Sequence, residues 1–234
     1  MAYLGLGKAR ILPECGALLD LIETTSHSTK LSKDNNQVAG YVEDADKMPD
    51  MNHSSGNPKA KVFFALWPTA TERDQLAAWQ KPLQQLCSGR AMRGETLHNT
   101  LVFIGDVEQV RLEALQLAAQ EVSGQAFELC FDAARYWGHN HIVYAAPGAV
   151  SQQLAQLVGA LEQRLSAHSF RFDQREYQPH ATLLRNARWT DAALPEMQPV
   201  CWKIEDFSLM QSEQKDGLAN YRVLARFPLL PYSG

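Results

Sequence analysis

Leu97-His98-Asn99-Thr100-Leu101 and Pro179-His180-Ala181-Thr182-Leu183 carry one pattern twice, His-x-Thr-Leu, with the histidines 82 positions apart. Both sit in short apolar runs that read as strands, Leu97 to Ile104 and His180 to Leu184. Side chains alternate along a strand, so the His and Thr of each copy share one face. Leu101 and Leu183 then point the other way, into a core. Each copy is preceded by a strand and a helix, which looks like an internal duplication. Two such lobes facing each other would enclose a cleft holding two imidazoles and two hydroxyls.

That set suits displacement at phosphorus. A neutral imidazole takes a proton from the attacking oxygen, and a protonated one gives a proton to the leaving oxygen. Histidine fits because its ordinary pKa of about 6.5 lets both forms exist near neutrality. The threonine hydroxyls can donate to non-bridging oxygens, where charge develops. The scheme calls for no metal and no cofactor. The near-symmetry leaves the acid and base roles interchangeable.

Working outward, Lys61-Val-Phe-Phe-Ala-Leu-Trp67 is a strand, with Phe64 and Leu66 on one face and Phe63, Ala65 and Trp67 on the other. Phe64 and Trp67 are candidates for stacking on a base. Thr71 to Leu86 is predicted as one helix, capped by Thr69 or Thr71, facing Leu76, Trp79, Leu83 and Leu86 inward and kinked at Pro82. Gly105-Asp106 is expected to close the first motif strand. A helix over Val110 to Val122 follows, then strands Phe127 to Trp137 and His141 to Ala146 about a Gly138-His139-Asn140 turn. Val150 to Ala167 is a helix with Leu154, Leu157, Val158, Leu161 and Leu165 on one face. A final hairpin pairs Trp202 to Gln211 with Tyr221 to Phe227 around Lys215-Asp216-Gly217.

The first 59 residues differ. Ile11 to Ile22 admits a short helix, and Ser26 to Lys59 is polar linker chemistry. We expect residues 1–59 to be an extension, mostly disordered, and residues 60–234 to form the domain. Apolar residues make up 45% of the 234, ordinary for a globular chain. The net charge of -4 excludes a broadly basic nucleic-acid coat but allows a local basic cleft. Cys15, Cys87, Cys130 and Cys201 are scattered, which predicts reduced thiols and a cytoplasmic location. No run approaches the length of a membrane span.

The two motifs, with Val62-Phe-Phe-Ala-Leu-Trp-Pro68 and the run through Arg185, resemble the 2H phosphoesterase superfamily. Within it they resemble the RNA 2′,3′-cyclic phosphodiesterases, historically called 2′-5′ RNA ligases. The likeness spans about Ala60 to Pro228. It implies an α+β fold of two pseudo-symmetric lobes, each with a β-sheet and flanking helices, around a central cleft. It implies hydrolysis of RNA 2′,3′-cyclic phosphates to 2′-phosphates, with His98 as proton donor and His180 as proton acceptor, and reversible 2′-5′ ligation by the same site. Thr100 and Thr182 would bind the phosphate, and Arg185, three residues beyond Thr182, would reach back as a clamp. The partner would be RNA with a terminal cyclic phosphate or a small nucleotide, bound by a monomer. Alternatives are a phosphodiesterase for 2′-5′ oligonucleotides or small cyclic nucleotides, and an RNA-end-binding module without turnover. The first motif departs from the family's His-Leu-Thr-Leu, because Asn99 takes the inward position and needs a polar partner there.

His139 and His141 make a poor metal site without a carboxylate or cysteine beside them. His168 fits a helix C-terminus. Tyr177 precedes the second motif and suits either nucleotide contact or core packing. Arg90, Arg93, Arg171 and Arg175 are candidates for tracking an RNA backbone, each with surface solvation as the alternative.

Overall fold

The computed structural model describes residues 57–189, 193–215 and 217–231. The helix expected at Ile11 to Ile22, the extension to residue 56, and His27 and His53 lie outside the described residues. The first strand among the described residues, β1, spans Lys59–Leu66.

Among the described residues, ten strands and four α-helices follow in the order β1 (Lys59–Leu66), α1 (Ala70–Ala77), α2 (Gln80–Cys87), β2 (Arg90–Ala91), β3 (Asn99–Glu108), α3 (Leu112–Gln120), β4 (Phe127–Phe131), β5 (Ala133–Trp137), β6 (Ile142–Ala146), α4 (Gln152–Ala167), β7 (Ala181–Arg185), β8 (Val200–Ile204), β9 (Asp206–Lys215) and β10 (Leu218–Pro228). They form two four-stranded antiparallel sheets, β10-β9-β1-β3 and β2-β7-β6-β5, and a β4-β8 pair. Each H-x-T strand belongs to a different sheet, and β3 meets β7 where the lobes face each other. This is the expected bilobed α+β architecture.

The lobes are not contiguous halves of the chain, as a simple duplication would make them. β2 comes from the first half but pairs with β7, and the C-terminal β9 and β10 complete the sheet of β1 and β3. Helix α2 packs on β7, and α4 packs on β3. One apolar cluster therefore runs through both lobes, from Phe64 and Leu66 through Leu161 to Leu183 and Trp202. Cores shared in this way fix the lobes against each other, because interiors packed at crystal-like density deform little.

Several expected elements are divided. The helix predicted over Thr71 to Leu86 is two helices that break at Ala78-Trp79. Pro82 has no N–H to donate to Ala78, so it is accommodated in the first turn of a new helix. Thr69 caps α1 in a capping box with Glu72. The strand Phe127 to Trp137 changes sheets at Asp132, and Trp202 to Gln211 breaks at Glu205. Gly105-Asp106 does not end β3. Gly105, at φ +84, absorbs an irregularity, and the strand runs on to Glu108.

The cysteines also depart from expectation. Cys130 and Cys201 face each other in register across β4 and β8 and form a disulfide. Cys87 is a free, buried thiol, and Cys15 lies outside the described residues. Among the described residues no helix is long and apolar enough to cross a membrane.

Candidate active site

Thr100 enters the cleft from β3 and Thr182 from β7, with His98 and His180 each one residue before the strand begins. All four line one opening of about 340 Å³ with Arg185, Thr96, Met92 and Tyr221. The shared face expected for each motif is present, and Leu101 and Leu183 are buried in the common core behind it.

The backbone explains how Arg185 joins them. Strict alternation from Thr182 would send residue 185 to the core side. β7 carries an extra residue instead: Tyr144 opposes Thr182 while Val143 opposes Leu184. That bulge turns Leu183 and Leu184 together into the core and returns Arg185 to the cleft. The guanidinium reaches the site by this phase shift rather than by bending back along the strand. β3 has the same irregularity, with Ala65 opposite Thr100 and Phe64 opposite Val102. Its bulged residue is Leu101, and the residue returned to the cleft side is Phe103. Gly89 passes so close to Arg185 that a Cβ there would lie 2.8 Å from the Arg185 carbonyl, and its φ of +90 also favours glycine.

Each imidazole is held the same way. His98 Nδ1 lies 2.7 Å from the Thr96 carbonyl, and His180 Nδ1 lies 2.8 Å from the Gln178 carbonyl. A carbonyl only accepts, so both Nδ1 atoms carry the proton and donate. Nε2 is then the free nitrogen of each ring, with its lone pair available in the neutral form. Aromatic rings brace both histidines. Trp67 stacks on His98 at 5.5 Å, with Phe63 and Tyr221 beside it. Trp137 meets His180 edge-on at 4.6 Å, with Tyr144 behind.

Burial disfavours the charged ring at both positions. It pushes His98 down to about 4, against the opposing pull of the Thr96 carbonyl and with help from the charges of His180 and Arg185. His180 is also lowered by burial, against the Gln178 carbonyl and with help from Arg185. Both effects favour neutral imidazoles beside the Arg185 guanidinium. An anion entering the cleft meets a guanidinium fork and would draw a proton onto the histidines.

Asn99, wholly buried behind the first motif, finds the partner it needs in Tyr177. The tyrosine O–H donates to Asn99 Oδ1 at 2.8 Å. Burial pushes that phenol upward, so it stays protonated and donates. Asn99 Nδ2 has no partner among the described residues. The bond ties the segment before His180 to the first residue of β3, next to His98.

The remaining candidates disperse. Phe64 is wholly buried in the core and is no stacking platform, and Trp67 is engaged with His98. Arg175 is bound by Asp173, Arg93 donates to the Ala219 carbonyl and pairs with Glu95, and Arg171 lines a separate cleft. Arg90 is exposed on β2. His141 takes part in a 2.9 Å hydrogen bond with the Tyr136 hydroxyl, and His168 meets Glu121. Among the described residues Glu128, Cys130 and Cys201 lie close enough to suggest a metal, but the disulfide consumes both sulfurs. Sequence reasoning missed Tyr221 and Trp137 as site walls. Tyr221 arrives from the last hairpin, whose register against β1 leaves no local signal.

A family model described as the 2′-5′ RNA ligase superfamily matches residues 68–216. The RNA 2′,3′-cyclic phosphodiesterase of Escherichia coli (strain K12) is 28% identical over 169 residues, covering 72% of this chain and 96% of the relative. The protein of the same name from Archaeoglobus fulgidus is 24% identical, covering 67% of this chain and 87% of the relative. The crystal structure of E. coli LigT complexed with 3′-AMP superposes with a TM-score of 0.68 at 27% identity, over 74% of this chain and 99% of that one.

Proposed function

Because the chain belongs to the 2′-5′ RNA ligase superfamily, we propose that it hydrolyses a 2′,3′-cyclic phosphate on an RNA end or a small nucleotide, with His98 as general acid and His180 as general base. The observation that carries this reading is the matched pinning of the two imidazoles, each with Nδ1 on a carbonyl and Nε2 free beside Arg185. The substrate class follows the names of the relatives.

In this mechanism the cyclic phosphate seats its non-bridging oxygens against Arg185, Thr100 and Thr182. Its negative charge offsets the burial and like-charge effects that depress the histidines, so one of them gains a proton on binding. His180 Nε2 removes a proton from water as the water oxygen bonds to phosphorus. The bond from phosphorus to the 3′-oxygen breaks, and His98 Nε2–H protonates that oxygen. The product is a 2′-phosphate. A 5′-hydroxyl in place of water would form a 2′-5′ linkage by the same step. Both motifs and Arg185 come from one chain, so a monomer holds every group the step uses. Electrostatic stabilisation here rests on a preset guanidinium and two hydroxyls.

The test is product analysis on a defined RNA ending in a 2′,3′-cyclic phosphate, with and without EDTA. A 2′-phosphate in both conditions is the expected result. A 3′-phosphate would reverse the leaving group, loss of turnover in EDTA would bring in a metal, and tight binding without product would leave a binding module.

A further inference from the structure

A second pocket, of about 630 Å³, opens from the same cleft and shares Thr100 and His180 with it. It lies between β3 and the segment of residues 173–178. The Asp173 N–H donates to the Phe103 carbonyl at 3.0 Å, which lays that segment along the edge of β3. Phe103 is the residue that the β3 bulge returns to the cleft side, and it stays partly exposed there. Tyr177 forms another part of the lining. The exposed lining is more apolar than polar and carries aromatic faces, suited to a flat, π-rich group.

The charged groups of this pocket are unusual for an RNA protein. Arg175 is held by both Asp173 carboxylate oxygens at 2.9 Å. Glu162, from α4, also lines the pocket, and among the described residues no hydrogen bond or ion pair engages its carboxylate. A second phosphate would be repelled here, whereas a group with adjacent N–H donors would be bound. We infer that this pocket seats the nucleobase of the nucleotide whose phosphate lies at His98 and His180, and that Glu162 selects bases with an N–H donor edge, guanine first and uracil last. Guanine offers its N1–H and amino group side by side to one carboxylate. Adenine and cytosine offer an amino group alone. Uracil offers one N–H flanked by two carbonyls, which face the carboxylate unfavourably. Burial already pushes the Glu162 carboxyl upward, as expected for an acceptor lacking a donor.

This inference rests on the proposed function, and two readouts separate their failures. Turnover of guanosine and uridine 2′,3′-cyclic monophosphates is measured alongside calorimetric binding of the corresponding nucleoside 2′-monophosphates. The expected kcat/KM ratio favours guanosine by about tenfold or more, with the same order in product binding. Glu162→Gln and Glu162→Ala both bring the ratio towards one, which a merely structural role for Glu162 would not do. Turnover with equal preference in the wild type, or an unchanged ratio in both variants, overturns the base pocket and leaves the phosphodiesterase standing. Guanosine-selective binding with no turnover of either substrate overturns the phosphodiesterase and leaves the pocket. Absence of both overturns both.

Discussion

β3 and β7 are built alike up to the bulge and differ beyond it. Each presents an imidazole with Nδ1 on the carbonyl two residues back, then a threonine, then a bulged leucine that returns the chain's phase to the cleft. After the bulge β3 supplies Phe103 and β7 supplies Arg185. Behind the motif β3 buries Asn99 where β7 buries Ala181. The shared part is what proton transfer needs, namely two rings fixed in one tautomer at one cleft. The divergent part gives the cleft direction, with a guanidinium on one side and an aromatic wall on the other. A near-symmetric skeleton therefore presents two different side chains to one cleft, set by the residue that follows each bulge.

The largest expected effects come from the shared part. His98→Ala and His180→Ala should each lower kcat by about 10²–10⁴, and the double variant should lose little more than either single one, because the two act as a unit. A phosphodiester with a weakly basic aryl leaving group separates their roles. It needs no general acid, so it should restore turnover to the His98 variant and not to the His180 variant. Rescue of His180→Ala instead would exchange the assignments.

Next in size is the residue after the bulge. Arg185→Ala should cost about 10²-fold in kcat/KM, comparable to losing one preset donor at a developing charge. Arg185→Lys should recover part of this, since the charge remains but the fork is lost. Phe103→Ala should cost less than tenfold on the same substrate. Equal losses at 103 and 185 would mean that the cleft has no charged side.

Acidity gives a smaller, graded effect. In the proposed mechanism the productive form carries one proton on the histidine pair. Both rings are depressed, so that form is most populated on the acid side of 6.5 and is depleted as pH rises. kcat/KM should therefore peak below about pH 6.5 and fall roughly tenfold per pH unit on the alkaline limb. Arg185 is one of the charges that depresses both rings. In Arg185→Ala the alkaline limb should move to higher pH, while an unmoved limb would mean that Arg185 does not act on the pair.

Much of this site is legible in the sequence because its signals are local. The H-x-T spacing, the alternation along β1 and the 3.6-residue periodicity of α4 each depend on neighbours within a few positions. What escapes is set by register. Leu183 looks like any strand leucine, yet its extra place opposite Tyr144 is what turns Arg185 into the cleft. The breaks at Asp132 and Glu205 carry no glycine or proline, so the sequence reads as a continuous strand at each. Cys130 and Cys201 are 71 residues apart and meet only because β4 and β8 align them. Tyr221 likewise depends on how the last hairpin lies against β1.

The smallest effect lies behind the motifs, where Asn99 faces the core and Ala181 does the same in β7. Asn99 accepts from Tyr177 through Oδ1 and leaves Nδ2 unpaired among the described residues. Tyr177→Phe should cost about 1–3 kcal/mol, because it leaves the buried amide without its remaining partner. Asn99→Leu should cost a similar amount, since it strands the Tyr177 hydroxyl. The double variant removes both polar groups together and should be far less destabilised than the sum, a coupling that denaturant melts of the four proteins measure directly. Additive losses would mean that the bond contributes nothing beyond packing. The same melts on Ala181→Asn complete the contrast between the strands. Ala181 is wholly buried, so an amide there should destabilise by at least as much as either single change in β3.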